Sequence, residues 1–174
     1  MKSILGIGNA LTDILAILPD NTLLTKFNLP EGSMQHVDAK TGNVIWESLK
    51  EIGVQYVAGG SAANTISGAA IFGMPAGFIG KVGDDELGSL FKAEQLQNGI
   101  RSTLLTGTAA SGRAMVFITA PNADRTFATY LGAALQLEPE DLKPEYFDGY
   151  DYLYLEGYLV QNQRLIRRAV EIGK

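Results

Sequence analysis

Ala58-Gly59-Gly60-Ser61-Ala62-Ala63-Asn64-Thr65 is the stretch on which the reading of this chain turns. It follows a strand-like segment, Val54 to Val57, and opens a helix rich in small residues that runs to Gly73. Two adjacent glycines give the backbone conformations closed to other residues and let a ligand approach the main chain. The first turn of the helix carries unpaired N–H groups, and Ser61 or Asn64 can add hydroxyl or amide groups to the same space. Such a cradle is polar and neutral, and it suits a ligand rich in hydroxyls. No Lys-Ser or Lys-Thr pair follows at P-loop spacing, so this loop alone is not expected to cradle phosphate.

Upstream, Ser3 to Ile7 reads as a buried strand ending at Gly8, and Asn9 to Leu18 as a second strand after a bend. A short helix runs through Phe27 and a brief strand covers Ser33 to Val37. Asp38 or Thr41 caps a helix to Ile52, with Val44, Ile45, Leu49 and Ile52 at helical spacing. Downstream, Pro75 to Val82 is an apolar strand, and Asp84 opens a helix closed by Gly99. The alternation of strand and helix predicts parallel βαβ crossovers. Arg113 to Ala120 and Arg125 to Leu131 then form a hairpin about Pro121-Asn122-Ala123-Asp124, which adds antiparallel strands. Pro139 to Tyr146 reads as a short acidic helix and Asp151 to Leu155 as a strand. The last helix, Asn162 to Ile172, buries Leu165, Ile166, Ala169 and Val170 and turns Arg164, Arg167 and Arg168 to solvent. A strand is expected after such a helix, so the chain reads as cut inside a larger domain.

Composition narrows the function classes. The 174 residues are enough for one domain with a substantial core, and 46% hydrophobic against 19% charged residues argues against global disorder. A formal charge of −5 with no basic run argues against nucleic acid as partner. With no cysteine there is neither a disulfide scaffold nor a thiolate metal site. The apolar N-terminus is interrupted by Asn9, Thr12 and Asp13, and no stretch approaches the ~20 apolar residues of a membrane span. No membrane association is expected, and a cytoplasmic location is the default.

Several polar residues stand out against this background. Gly6-Ile7-Gly8 resembles the start of a dinucleotide fingerprint, but Leu11 occupies the place of its third glycine, so a glycine-eased bend is the simpler reading. Asp13 lies among Leu11, Ile14 and Leu15, where a carboxylate needs a partner; accepting two ligand hydroxyls would supply one, and an edge-facing aspartate with no role is the alternative. Glu156 ends an apolar strand, at the edge of the sheet where α/β proteins bind ligands. Asp84-Asp85-Glu86 reads as helix-start acidity rather than a metal cluster. His36, the only histidine, has no triad partner motif, and Trp46 is a packing residue. Arg125 either pairs with Asp124 or reaches a ligand.

Taken together, these stretches resemble the N-terminal half of a ribokinase-family (PfkB-type) sugar or nucleoside kinase. The likeness rests on Gly59-Gly60-Ser61-Ala62-Ala63-Asn64, then Phe78-Ile79-Gly80-Lys81-Val82-Gly83-Asp84-Asp85-Glu86-Leu87-Gly88. Gly6 to Asp13, Arg125 to Ala134 and Leu153 to Gly157 extend it over almost the whole chain. The resemblance implies an α/β fold, a partial ribokinase-like three-layer sandwich with a small β-sheet lid. Residues 1–174 would be its substrate-binding portion, with lid strands near 14–18, 33–37, 54–58, 113–120 and 125–131. It further implies that Asp13, Gly59, Gly60 and Asn64 hold the hydroxyls of the phosphoryl acceptor, with Asn9 nearby and Glu156 and Arg125 as further contacts.

Ser61 stands where ribokinases carry lysine, and Ile66 where a small residue is usual; with Asn9, both lean towards the adenosine-kinase-like branch. The family's Gly-Ala-Gly-Asp motif, which supplies the anion hole and catalytic base, is absent, as is the ATP-binding region. The intact enzyme would use ATP and Mg²⁺ to phosphorylate a hydroxymethyl group on a sugar or nucleoside; this portion alone is expected to bind neither cofactor and to be inactive. The resemblance leaves room for a homodimer through the lid. The rival reading is a non-catalytic sugar- or nucleoside-binding module.

Overall fold

The structure, a computed structural model, describes residues 1–119 and 123–174. The expected hairpin turn at 121–124 falls partly outside those residues. In chain order the elements are β1 (Ile4–Ile7), β2 (Leu11–Leu18), α1 (Thr22–Lys26), β3 (Met34–His36), α2 (Ala39–Leu49), β4 (Gln55–Gly59) and α3 (Ser61–Ile71). They continue with β5 (Ala76–Val82), α4 (Glu86–Gln97), β6 (Arg101–Thr106), β7 (Gly112–Thr119), β8 (Asp124–Tyr130), β9 (Tyr152–Leu155) and α5 (Gln163–Ile172).

These strands form two sheets. The central one has the order β6-β5-β1-β9 and every pair is parallel. Buried on both faces, its strands are near-continuous apolar runs such as Ala76 to Ile79. One face packs Phe78 and Val82 beneath Ala62, Ala63 and Ile66 of α3 and Phe91 of α4. The other packs Leu5, Ile7 and Ile79 beneath Leu165 and Ala169 of α5 and Leu137, Leu142 and Leu159 of the connecting turns. Helices on both sides of a sheet make three layers.

The second sheet has the order β3-β8-β7-β2-β4 and mixes parallel and antiparallel pairs. Its strands alternate, as period-two side chains require. Ile14, Ala16, Leu18, Met115, Phe117 and Ala128 turn to one face and pack on Leu24 of α1, Ile45 and Leu49 of α2 and Leu87 of α4. Full burial of each large side chain there contributes ~1.5–3 kcal/mol. On the same side Arg113 is buried between the rings of Trp46 and Tyr130, 4.6 and 5.2 Å from the guanidinium, and it bonds to Asn43. Trp46 is thus a packing residue that also fastens α2 to β7. Asp13, Ala114, Phe127 and Thr129 belong to the alternate set, which lines a cleft.

Several elements differ from the sequence-based expectation. Val54 to Val57 is no part of a parallel βαβ alternation: β4 pairs antiparallel with β2 in the second sheet, and α3 carries the chain back to the central sheet. Strand β6 was not foreseen; it follows α4 directly and completes the crossover from β5. The acidic helix expected over Pro139 to Tyr146 is two separate 3₁₀ turns, Pro139–Asp141 and Pro144–Tyr146, because Pro144 removes a helical donor and biases Lys143 to extended backbone. Helix α2 stops at Leu49 and buries Gly42, Ile45 and Leu49, while Val44 and Ile52 are exposed. Val170, expected in the buried stripe of α5, is exposed as well. Asp85 rather than Asp84 caps α4, through the Gly88 N–H.

Candidate functional site

The carboxyl ends of β1 and β9 meet the base of the second sheet around a cleft of about 220 Å³. A single buried water needs only ~10–15 Å³ by such a measure, so the space admits a ligand of many atoms. Its floor is built from short-range consequences of the sequence. After β1 the chain bends through Gly8 and Asn9, and Glu156 follows the end of β9 beside it. Glu156 is 2% exposed. Its Oε1 accepts from Asn9 Nδ2 (2.6 Å) and Asn9 N–H (3.3 Å), and its Oε2 accepts from the Ala62 N–H (2.9 Å) in the first turn of α3. One carboxylate thereby joins β1, β9 and α3 while lining the cleft.

Gly60 precedes α3 with φ +95, and a Cβ there would collide with the Asn9 carbonyl, so glycine is required. Gly59 is required for a different reason. The Asp13 carboxylate lies against its Cα, in the space a side chain would fill. Gly59 therefore supports Asp13 from beneath and does not itself line the cleft. Asp13 does line it, one strand in from the edge of the second sheet. Burial, and secondarily the charge of Glu94, push its carboxyl up to about 6. Among the described residues no side chain or backbone N–H donates a hydrogen bond to this carboxylate, so its desolvation is not offset.

Asn9, Asp13, Gly60, Asn64 and Glu156 converge on the cleft, with Asn64 exposed towards it from the first turn of α3. Arg125 does not join them; it is exposed at the start of β8, paired with Ile118. The opposite wall comes largely from strands expected in the lid, but its residues were not singled out in the sequence. Phe127, Thr129 and Leu131 come from β8 and its end, Met34 and His36 from β3, and Leu135 and Tyr158 from the turns. His36 stands in register with Thr129. The alternation Phe127, Thr129, Leu131 was visible in the sequence, but which face it shared was set by the strand order. The cleft thus has a hydrogen-bonding floor and a largely apolar wall. Among the described residues no group of three or more His, Asp or Glu side chains could hold a metal ion.

The profile of pfkB family carbohydrate kinases matches residues 33–169. The chain belongs to this family. It is 34% identical over 160 residues to an adenosine kinase of Schizophyllum commune, covering 88% of the chain and 46% of that protein. The crystal structure of adenosine kinase from Sinorhizobium meliloti superposes with a TM-score of 0.86 at 32% identity, covering 99% of this chain and 53% of that one. A 5-dehydro-2-deoxygluconokinase of Geobacillus kaustophilus (strain HTA426) is 36% identical over 104 residues, 57% of the chain and 31% of that protein. The chain spans about half or less of the length of these relatives. Its fold is the ribokinase-like α/β fold, and its relatives are kinases of nucleosides and sugar derivatives. Among the described residues of this PfkB-family chain no helix is long and apolar enough to cross a membrane.

Proposed function

We propose that this chain is the acceptor-binding portion of an ATP-dependent kinase that phosphorylates a hydroxymethyl group, and that the acceptor is a nucleoside. The cleft's two-sided chemistry carries this reading. Asp13, Asn9, Asn64 and the Gly60 backbone offer acceptors and donors to ribose hydroxyls, and Asp13 takes two of them in place of the donors it lacks. Facing them, Met34, Phe127, Leu131 and Leu135 are too apolar to satisfy a ring that bears hydroxyls all round, but they suit the flat face of a heteroaromatic base. Thr129 and His36 place polar groups at that end. The second sheet acts as the lid over the acceptor.

The donor in this family, ATP with Mg²⁺, supplies the phosphoryl group and neutralises its charge. The part of the cleft residues is to bind the acceptor, hold its reacting hydroxyl in place and exclude water from one side. On this reading the chain alone is expected to bind an acceptor without transferring phosphate to it.

Thermal unfolding in the presence of adenosine, ribose or a 2-keto sugar acid tests the assignment. Adenosine at about a hundred times its Kd should raise the midpoint by roughly 5–10 °C, with ribose well behind. A larger shift with ribose or the sugar acid would move the acceptor to the sugars.

A further inference from the structure

Helix α4 lies outside the cleft yet holds three strands of the second sheet at their base. Asp85, its cap, accepts from the Ser111 N–H (2.7 Å) and Oγ (2.6 Å) at the start of β7. The Leu87 carbonyl accepts from Thr12 Oγ1 (3.2 Å) on β2. Further along, Glu94 Oε2 accepts from the Ala58 N–H (2.5 Å) on β4. Strand β4 is an edge strand of that sheet, so Glu94 occupies a backbone donor that would otherwise stay open. Ala58 adjoins Gly59, against which the Asp13 carboxylate rests.

We propose that Glu94 is a positioning residue of the acceptor cleft, pinning β4 beside Asp13 and facing that carboxylate with a second negative charge. The other titratable groups lining the cleft are Glu156, which is hydrogen-bonded to Asn9 and Ala62, His36 and Tyr158. After burial, the charge of Glu94 is what raises Asp13 towards protonation. An acceptor whose hydroxyls donate to Asp13 binds the ionised form, so its affinity declines as pH falls through about 6, and Glu94 sets where that decline begins. This consequence rests on the acceptor role of Asp13, whereas the placement of Glu94 does not.

Carbon-13 NMR titration of the Asp13 carboxyl, assigned with Asp13→Asn, tests the charge without any ligand. Glu94→Gln keeps an oxygen for the Ala58 N–H and removes the charge; the Asp13 midpoint should fall by on the order of half a pH unit. Amide exchange at Ala58 tests the tether: protection should persist in Glu94→Gln and be lost in Glu94→Ala. Adenosine should then bind Glu94→Gln roughly two- to threefold more tightly than wild type at pH 5 and equally at pH 8. An unchanged Asp13 midpoint, or Ala58 protection indifferent to Glu94→Ala, overturns the proposal. Failure of adenosine to bind any variant overturns the nucleoside reading instead, and the titration still decides Glu94.

Discussion

Asp13 is partly buried beside Glu94, a placement that costs stability and has a use only when a ligand donates to it. Its pKa is raised in the fold, so the native state holds this proton more firmly than the unfolded chain. Stability from this group is full below pH ~4 and is lost as pH rises through about 6. Taken from 3.8 to about 6, the shift corresponds to up to ~3 kcal/mol above pH 7. Asp13→Asn should therefore raise the urea midpoint at pH 7.5–8 and leave it nearly unchanged at pH 4, by roughly that margin or less. At the neighbouring position, Gly59→Ala drives a methyl into the space of the Asp13 carboxylate. The expected result is a cost of ~1–3 kcal/mol in urea unfolding and loss of acceptor binding, because the carboxylate must swing away.

Among the elements, α4 fixes the second sheet to the central one, and Asp85 is the residue through which it does so most firmly. Burial opposes ionisation there, but hydrogen bonds from Ser111 and Gly88, with the Arg113 charge behind them, hold the carboxyl below its ordinary range. Asp85→Ala loses a helix cap and both Ser111 bonds, for an expected ~2 kcal/mol by chemical unfolding. Asp38→Ala, which loses a single exposed bond to the Thr41 N–H, should cost less. The motif residues around these helix starts were largely legible because glycine and aspartate act locally: Gly60 needs a positive φ and Asp38 caps its own helix, although the cap of α4 is Asp85, one residue beyond the expected Asp84. Strand β6 was not legible, since its polar start Arg101-Ser102-Thr103 hides a strand made regular only by pairing with β5. The floor of the cleft was read from Asn9, Asp13, Gly60, Asn64 and Glu156. Strands 33–37 and 125–131 were expected in the lid, but which of their side chains face Asp13 was not legible, because β8 and β3 reach it only through the order β3-β8-β7-β2. Arg125 looked like a candidate beside the hairpin, yet the pairing with Ile118 places it outside the cleft.

On the scale of the whole molecule, the proposed acceptor cleft stands on a three-layer α/β portion that spans about half of its kinase relatives. Binding and phosphoryl transfer should accordingly separate: incubated with adenosine, ATP and Mg²⁺, the 174-residue chain should form no AMP above background while still binding adenosine. Turnover by this chain would show that the donor site is formed from residues given no such role here. The central claim is that the cleft takes a nucleoside through the carboxylate of Asp13. Calorimetric titration of adenosine into the wild-type chain and Asp13→Asn at pH 7.5 addresses it most directly. Measurable binding to the wild type is expected, with a loss of at least ~1.5–3 kcal/mol in the variant, as for hydrogen bonds to a charged group, even though the variant should be the more stable protein. Equal affinity for the two proteins would contradict it.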